Sequence, residues 1–484
     1  MKKINNYIGG DFINPFSDNY IENINPATGE VFSLIADSDE NDINLAVEAA
    51  KAAFPEWSSA DAAFRSEWLL KLANYIENNL EKFAQAETQD NGKPISLSRS
   101  IDIPRAVQNL SFFATAILHD KEDAYHTSTN VLNYTLRQPL GVVGCISPWN
   151  LPLYLFTWKI APALASGNCV IAKPSELTPY TAYLLSEACQ AINFPDGVLN
   201  IVHGYGHKAG AAIVAHQDTK AISFTGGTQT GKTIASVAAP MFKKLSLELG
   251  GKNATIIFAD SDLEEAVKVA VRAAFTNQGQ ICLCGSRILI ESSVYEDFKV
   301  KFVEKVKALT IGDPTHEKTE QGATVSKAHQ EKVLSYIELA KQEGGNILTG
   351  GKKVNSETLP ESCKNGFFIE PTVIENLPAY CRTNQEEIFG AVTTLIPFEN
   401  ESEAVEFANC TPYGLSASVW TQNLSKAHRI ADTLETGIVW INSWLLRDLR
   451  TPFGGAKQSG VGREGGYEAL HFFTEQKNVC IKFG

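Results

Sequence analysis

The strongest constraint on this chain is an alternation that begins at residue 141. Gly141–Ile146, Cys169–Ala172, Val198–Val202, Ala221–Phe224 and Lys244–Glu248 are short apolar runs that read as buried strands. Between them, Thr157–Ala165, Thr178–Ile192, Lys208–Ala215 and Gly231–Ala238 carry helical patterns. Strands separated by helices are parallel neighbours, because a helical crossover must return the chain to the same end of the sheet. A second alternation follows Gly251. Thr255–Phe258 and Arg287–Ile290 read as strands, Asp262–Gln278 and Ser293–Leu309 as helices, with a further α/β stretch at 387–441. An apolar stripe predicts one helix over Asp61–Phe83, and the tail Lys477–Phe483 reads as a strand. The expected architecture is two α/β domains that meet near Gly250–Gly251.

Charge and cysteine usage narrow the function. The net charge of −13 over 484 residues gives no general attraction to nucleic acid or to an anionic membrane, so neither is an expected partner. Nine scattered cysteines with no CxxC pair argue against a disulfide framework or a zinc ribbon, and fit a reducing cytoplasm. No HExxH is present, so no metal site is expected. MKKINNYIGGDF lacks the apolar region of a signal peptide, and Pro148, Asn150, Pro152, Lys159 and Pro162 break the most apolar stretch, 141–172.

Two strands end in glycine turns. After Val198–Val202 comes Gly204-Tyr-Gly206-His-Lys-Ala-Gly210, one residue off the dinucleotide fingerprint. After Ala221–Phe224 comes Gly226-Gly227-Thr-Gln-Thr-Gly231-Lys232-Thr233, formally the phosphate loop of a nucleotide triphosphatase, with Asp260 available as a Mg²⁺-binding aspartate. Free N–H groups at a helix N-terminus bind anions in either reading.

The chemistry concentrates in three other segments. In Gly279-Gln-Ile281-Cys282-Leu283-Cys284, Cys282 sits between a helix end and a strand, sheltered by Ile281 and Leu283. A cysteine is ordinarily a small buried hydrophobe, but this setting suits a nucleophile. Glu248 ends a strand at a Gly-Gly turn on the domain junction, a place for a general base rather than for a solvated strand-end carboxylate. Asn150 lies between Pro148 and Pro152, whose stiffness suits an amide that donates to an oxyanion.

Together these segments resemble the NAD(P)-dependent aldehyde dehydrogenase superfamily, over nearly the whole chain. The matching motifs are Asn25-Pro-Ala-Thr-Gly29, Pro148-Trp-Asn150, Lys173-Pro-Ser-Glu176, Phe224-Thr-Gly-Gly227, Leu247-Glu-Leu-Gly-Gly251, Gly279-Gln-Ile-Cys282, Glu386-Glu-Ile-Phe389-Gly and Pro452-Phe-Gly-Gly. The resemblance implies Cys282 as nucleophile, Glu248 as base, and Asn150 with the Cys282 backbone N–H as oxyanion hole. It implies NAD as cofactor, held by Ile146, Ser147, Trp149, Lys173, Ser175, Glu176, Gly206, Gly210, Phe224, Gly226, Gly227, Leu249, Gly250, Glu387 and Phe389. Glu176 would accept from a ribose 2′-OH and repel a 2′-phosphate. Gly227 stands where the family commonly has serine, and Ala391 where it usually has proline. The implied fold is aldehyde dehydrogenase-like α/β. A Rossmann-type cofactor domain takes 1–119 and 140–250, an α/β catalytic domain 251–450, and a small β oligomerisation ribbon 120–139 and 451–484, giving a homodimer or homotetramer.

Asp102-Ile-Pro-Arg105-Ala-Val-Gln-Asn109 and Val439–Phe453 look like the branch of that family acting on 2-aminomuconate and 2-hydroxymuconate semialdehydes. Such a substrate carries a carboxylate, and an acidic protein needs a local cation to receive it. Arg105 and Arg447 are the expected guanidiniums, with Arg450 in reserve; Pro148, Trp149, Leu153 and Phe453 are the expected channel wall. The alternatives are a broad dehydrogenase of neutral aldehydes, retinal included, the phosphate-loop triphosphatase, and a non-catalytic structural relative.

Overall fold

The alternation becomes two mostly parallel sheets in the computed structural model, which describes residues 1–484. The first sheet runs, edge to edge, Gly460–Val461, Lys244–Glu248, Thr219–Thr225, Val142–Ile146, Cys169–Lys173, Leu199–Ile201, Asn6–Ile8 and Asp11–Ile13. Its central strands are parallel, and its outer strands are antiparallel additions. Every residue of Val142–Ile146 and Cys169–Lys173 is buried, because helices cover both faces. Helix Pro152–Ala165 opens on a proline, whose missing N–H costs nothing in the first turn, and is buried along its whole length.

The second sheet runs Asn346–Thr349, Thr372–Glu375, Val392–Phe398, Arg287–Glu291, Ala254–Ile257, Ser416–Trp420 and Ile438–Ile441. Only its first strand is antiparallel. A third, three-stranded sheet pairs Val131–Pro139 with Ala124–Ser128 and with Thr474–Lys482.

Two differences from the sequence reading have simple causes. The stripe over 61–83 is split into helices Ala62–Asn78 and Leu80–Asn91, because Asn79 leaves helical geometry at φ −118, ψ 23. Of residues 451–484, only Thr474–Lys482 enter the ribbon. Gly460–Val461 extend the first sheet, and helix Gly466–Phe472 packs on helix Pro152–Ala165. The polar tail therefore serves the first domain before it reaches the ribbon.

The segment before Cys282 is the most contorted in the chain. Helix Leu263–Phe275 stops, and Asn277, Gln278 and Gly279 follow with φ of 54°, 55° and 69°. Left-handed geometry at the two non-glycine residues costs about 1–3 kcal/mol each and persists only where the surroundings enforce it. Here Gln278 Nε2 donates to the Ala323 carbonyl at 2.7 Å and Asn277 Nδ2 to the Asn150 carbonyl at 2.9 Å. A Cβ on Gly279 would lie 2.1 Å from the Gly390 carbonyl oxygen. Gly279→Ala should therefore displace the loop, lowering the unfolding free energy by about 1–3 kcal/mol and abolishing turnover; thermal unfolding and a rate assay check both.

Candidate active site

The first sheet changes winding direction between Val142–Ile146 and Thr219–Thr225. From the first of these strands the chain steps outward through Cys169–Lys173 to Leu199–Ile201, then returns to the other side as Thr219–Thr225. Loops leaving strand ends at such a point diverge and open a crevice. A cleft lined by Trp149, Asn150, Thr225, Gly226, Leu249 and Glu387, among others, occupies it, and its floor is Cys282.

Cys282 is half-buried, and burial together with the Glu387 and Glu248 carboxyls raises its thiol well above the ordinary range, while Arg447 opposes them. Asn150 is 2% exposed. Its Nδ2 donates to the Gln280 carbonyl at 2.9 Å, two residues before the nucleophile, which fixes the amide and leaves its second N–H for another acceptor. Asn253 Nδ2 donates to the Cys282 carbonyl at 2.7 Å and to that of Cys284 at 2.9 Å. Cys284 is a free, buried thiol, pushed up to about 12 by burial.

Glu248 is buried rather than solvated, and neither of its oxygens has a partner. Burial, then the Glu464 carboxylate, raises its carboxyl well above the usual range; Lys159, Arg463 and Arg447 act the other way. A buried carboxyl whose affinity for a proton is raised in this way is suited to general acid–base work. Behind it lies a buried pair that sequence reasoning missed. Lys159 Nζ is 2.7 Å from Glu464 Oε1, and the Ser223 hydroxyl donates to the same oxygen at 3.0 Å. A lysine inside the all-apolar helical run 153–165 was the available signal.

The other residues expected to hold a cofactor gather around the cleft. Trp149, Gly226, Gly227, Leu249, Gly250, Glu387 and Phe389 line it directly. Phe389 meets Trp149 edge to face at 5.2 Å, and its carbonyl bonds His329 Nε2 at 2.7 Å. His329 and Lys332 also line the cleft and were not foreseen; burial pushes His329 down to about 4, so it is neutral at pH 7. Glu387 Oε1 accepts from the Gly251 N–H at 2.9 Å, and a Cβ on Gly250 would collide with this carboxylate at 2.3 Å. Ile146, Ser147, Lys173, Ser175, Glu176, Phe224, Gly206 and Gly210 lie on or just beyond the adjoining strands. The Ser147 N–H donates to the Lys173 carbonyl at 3.1 Å, and Phe224 is in register with Ile146. Lys173 Nζ is 3.1 Å from Glu176, whose other oxygen accepts from the Gly206 N–H at 3.5 Å. The Thr225 hydroxyl (buried and without a partner) and the uncovered start of helix Thr228–Ala238 suit an anionic, hydroxyl-bearing dinucleotide.

The phosphate-loop reading fails on geometry. Helix Thr228–Ala238 starts immediately after Gly227, so Gly231, Lys232 and Thr233 lie inside it rather than in a loop. Lys232 reaches Gln458, and Asp260 is engaged by Thr421 and Lys426 on the second domain.

A second cavity reaches Cys282 from the opposite side. It is mainly apolar, with Leu151, Tyr154, Leu155, Ile281, Leu283 and Phe453 in its wall, and it carries Glu248 and Arg447. Arg447 lies 4.0 Å above the Phe453 ring and donates to the Tyr154 hydroxyl at 2.8 Å; it has no carboxylate partner. Arg105 lies 5.7 Å from the centre of the Tyr154 ring, outside the immediate lining and also without an ion pair. Three expectations need correction. Leu153 is fully buried in the main core, because Leu151, Tyr154 and Leu155 take the cavity-facing positions. Pro148 and Trp149 line the first cleft instead. Arg450 is an exposed partner of Asp448.

Residues 12–479 match the aldehyde dehydrogenase family. The chain is 50% identical over 480 residues to the 2-aminomuconic semialdehyde dehydrogenase of Danio rerio, covering 99% of this chain and 98% of that one. It is 44% identical over 488 residues to the 2-hydroxymuconic semialdehyde dehydrogenase of Pseudomonas sp. strain CF600, with full coverage of both. The crystal structure of PnpE in complex with nicotinamide adenine dinucleotide superposes with a TM-score of 0.96 at 41% identity, over 100% of this chain and 98% of that one.

Glu464→Gln removes the negative charge that helps hold the Glu248 carboxyl up, so Glu248 should ionise at lower pH. The acid limb of the pH profile of aldehyde oxidation should move to lower pH; an unmoved limb would separate Glu464 from the action of Glu248.

Proposed function

This chain belongs to the aldehyde dehydrogenase family, and on that premise we propose that it oxidises a carboxylate-bearing semialdehyde of the 2-aminomuconate or 2-hydroxymuconate kind to the dicarboxylic acid, with NAD⁺. The observation that carries the substrate class is Arg447: an unpaired guanidinium in an apolar cavity that also holds Cys282 and Glu248. A guanidinium there can receive a carboxylate bidentately with little competition from water. Arg105, beside the Tyr154 ring, is the second candidate cation. The names of the relatives agree with this class.

In the proposed mechanism Glu248 takes the Cys282 proton, and the thiolate attacks the aldehyde carbon. A C–S bond forms, and the carbonyl oxygen becomes an oxyanion that the free N–H of Asn150 and the Cys282 backbone N–H receive. The chemistry NAD supplies when bound is acceptance of the hydride from that carbon. Cys282 then carries a thioester. Glu248 first passes the Cys282 proton to solvent and, again a carboxylate, withdraws a proton from water as the oxygen attacks the thioester carbon; the C–S bond breaks, the acid leaves and the thiolate returns. Glu176 and Lys173 would hold the adenosine ribose and Glu387 the nicotinamide ribose, and the Glu176 carboxylate favours NAD⁺ over NADP⁺. The remaining residues expected at the cofactor would line its path. We further propose pairing of subunits through the exposed edge of the ribbon strand Ala124–Ser128 into a dimer or tetramer, and a cytoplasmic setting, which suits nine free thiols. No helix is long and apolar enough to cross a membrane.

A neutral aldehyde is the second reading, supported by the apolar majority of the cavity wall. NADH absorbance separates the two. The purified protein should prefer a carboxylated muconate semialdehyde over a neutral aldehyde of similar size by roughly a hundredfold, about 2.7 kcal/mol of transition-state discrimination; equal rates would leave a general aldehyde dehydrogenase. Cys282→Ala should abolish NADH formation while NAD⁺ still binds by fluorescence titration. Arg447→Ala should lose most of the rate on the carboxylated substrate and little on the neutral one, and equal losses would make Arg447 structural.

A further inference from the structure

Asn150 presents its amide from a backbone held at its own carbonyl. That carbonyl accepts from Asn277 Nδ2 at 2.9 Å and from Lys93 Nζ at 3.0 Å. Lys93 follows Gly92, the left-handed cap of helix Leu80–Asn91, and is completely buried. Its ammonium pairs with Asp102, and Glu87 Oε1 lies 3.5 Å away; both acids are as buried as the lysine. Asp102 closes the π turn Ser98–Asp102 and lines the aldehyde-side cavity, while Glu87 Oε2 accepts from the Leu153 N–H at 3.4 Å. Next to this cluster, Asn91 Nδ2 donates to the Trp149 carbonyl at 2.9 Å.

Buried ion clusters contribute little net stability, because desolvation offsets most of their attraction, and a well-packed apolar set would often serve a fold equally well. What an apolar set cannot do is grip a carbonyl oxygen. Burial pushes both the Glu87 and the Asp102 carboxyls up, and the Lys93 ammonium beside them opposes that shift. We propose that Lys93, held by Asp102 and Glu87, is the positioning residue of the oxyanion site, fixing through the Asn150 carbonyl the backbone from which the Asn150 amide meets the oxyanion. The cluster also ties that backbone to the wall of the aldehyde cavity through Asp102. The inference rests on the reading of Cys282 and Asn150 as the acylation pair.

The test uses two reagents that meet the same thiol. Acylation by p-nitrophenyl acetate passes through an oxyanion; alkylation by iodoacetamide is a displacement at a saturated carbon and does not. In the full-length protein, Lys93→Met should slow acylation and aldehyde oxidation by about 10–100-fold, with iodoacetamide alkylation and NAD⁺ affinity within about twofold of the parent. Asp102→Asn preserves shape and should act in the same direction, more weakly, and it decides the matter if Lys93→Met does not fold. Unchanged acylation in a folded variant, or a parallel loss of acylation and alkylation, would overturn the proposal. Asn150→Ala run alongside separates the two levels: if it too leaves acylation unchanged, the oxyanion reading itself fails.

Discussion

The structure turns on a reciprocal grip between two loops from different sheets. The Asn150 side chain donates to the Gln280 carbonyl, and the Asn277 side chain donates back to the Asn150 carbonyl. One loop leaves strand Val142–Ile146 of the first sheet, and the other feeds strand Arg287–Glu291 of the second. The second loop is not rigid by its own means: it runs through consecutive left-handed residues that its partners hold in place. Because each partner supplies the other's restraint, Cys282 and Asn150 are set relative to one another rather than to either domain alone. Pre-organisation of this kind is what allows electrostatic stabilisation of an oxyanion without reorganisation during reaction.

Around that grip the site is built from acids that burial keeps from ionising readily. Glu248, Glu387 and Glu87 are all raised in the same direction, chiefly by desolvation. Burial first, and then Glu387 and Glu248, raise the Cys282 thiol as well. A positive charge brought into the cleft that Cys282 lines would reverse this balance. The Lys159–Glu464 pair sits under Glu248 as a fixed reference charge, buried deeply enough that ions in solution screen it little.

Much of this was legible in the sequence. Strand Lys244–Glu248 was placed to the residue, and the other central strands within two, because fully buried parallel strands are uninterrupted apolar runs flanked by polar turns. Cys282, Glu248 and Asn150 stand out in the sequence because each sits at an abrupt change of pattern, and the structure brings them to the cleft and cavity that meet at Cys282. The failures share one cause: a one-dimensional pattern does not show which side of a buried element faces a cavity. Leu153 and Leu155 are equally apolar neighbours on a helix buried all round, yet only Leu155 borders the cavity. His329 and Lys332 come from a helix whose local sequence is that of any solvated amphipathic helix, and only the tertiary fold brings them to Trp149 and Phe389. The triphosphatase motif was a true match to a string, but helix Thr228–Ala238 begins early enough to remove its loop.

The cleft and the cavity that converge on Cys282 share only that residue and Thr225. Every other lining side chain belongs to one wall alone. Mutational drift on the cavity side, at Tyr154, Leu445 or Arg447, can therefore proceed without disturbing the wall of the cleft. Selection for a new substrate would not have to rebuild the oxidising half of the enzyme, and one inherited chemistry could pass through many successive diets.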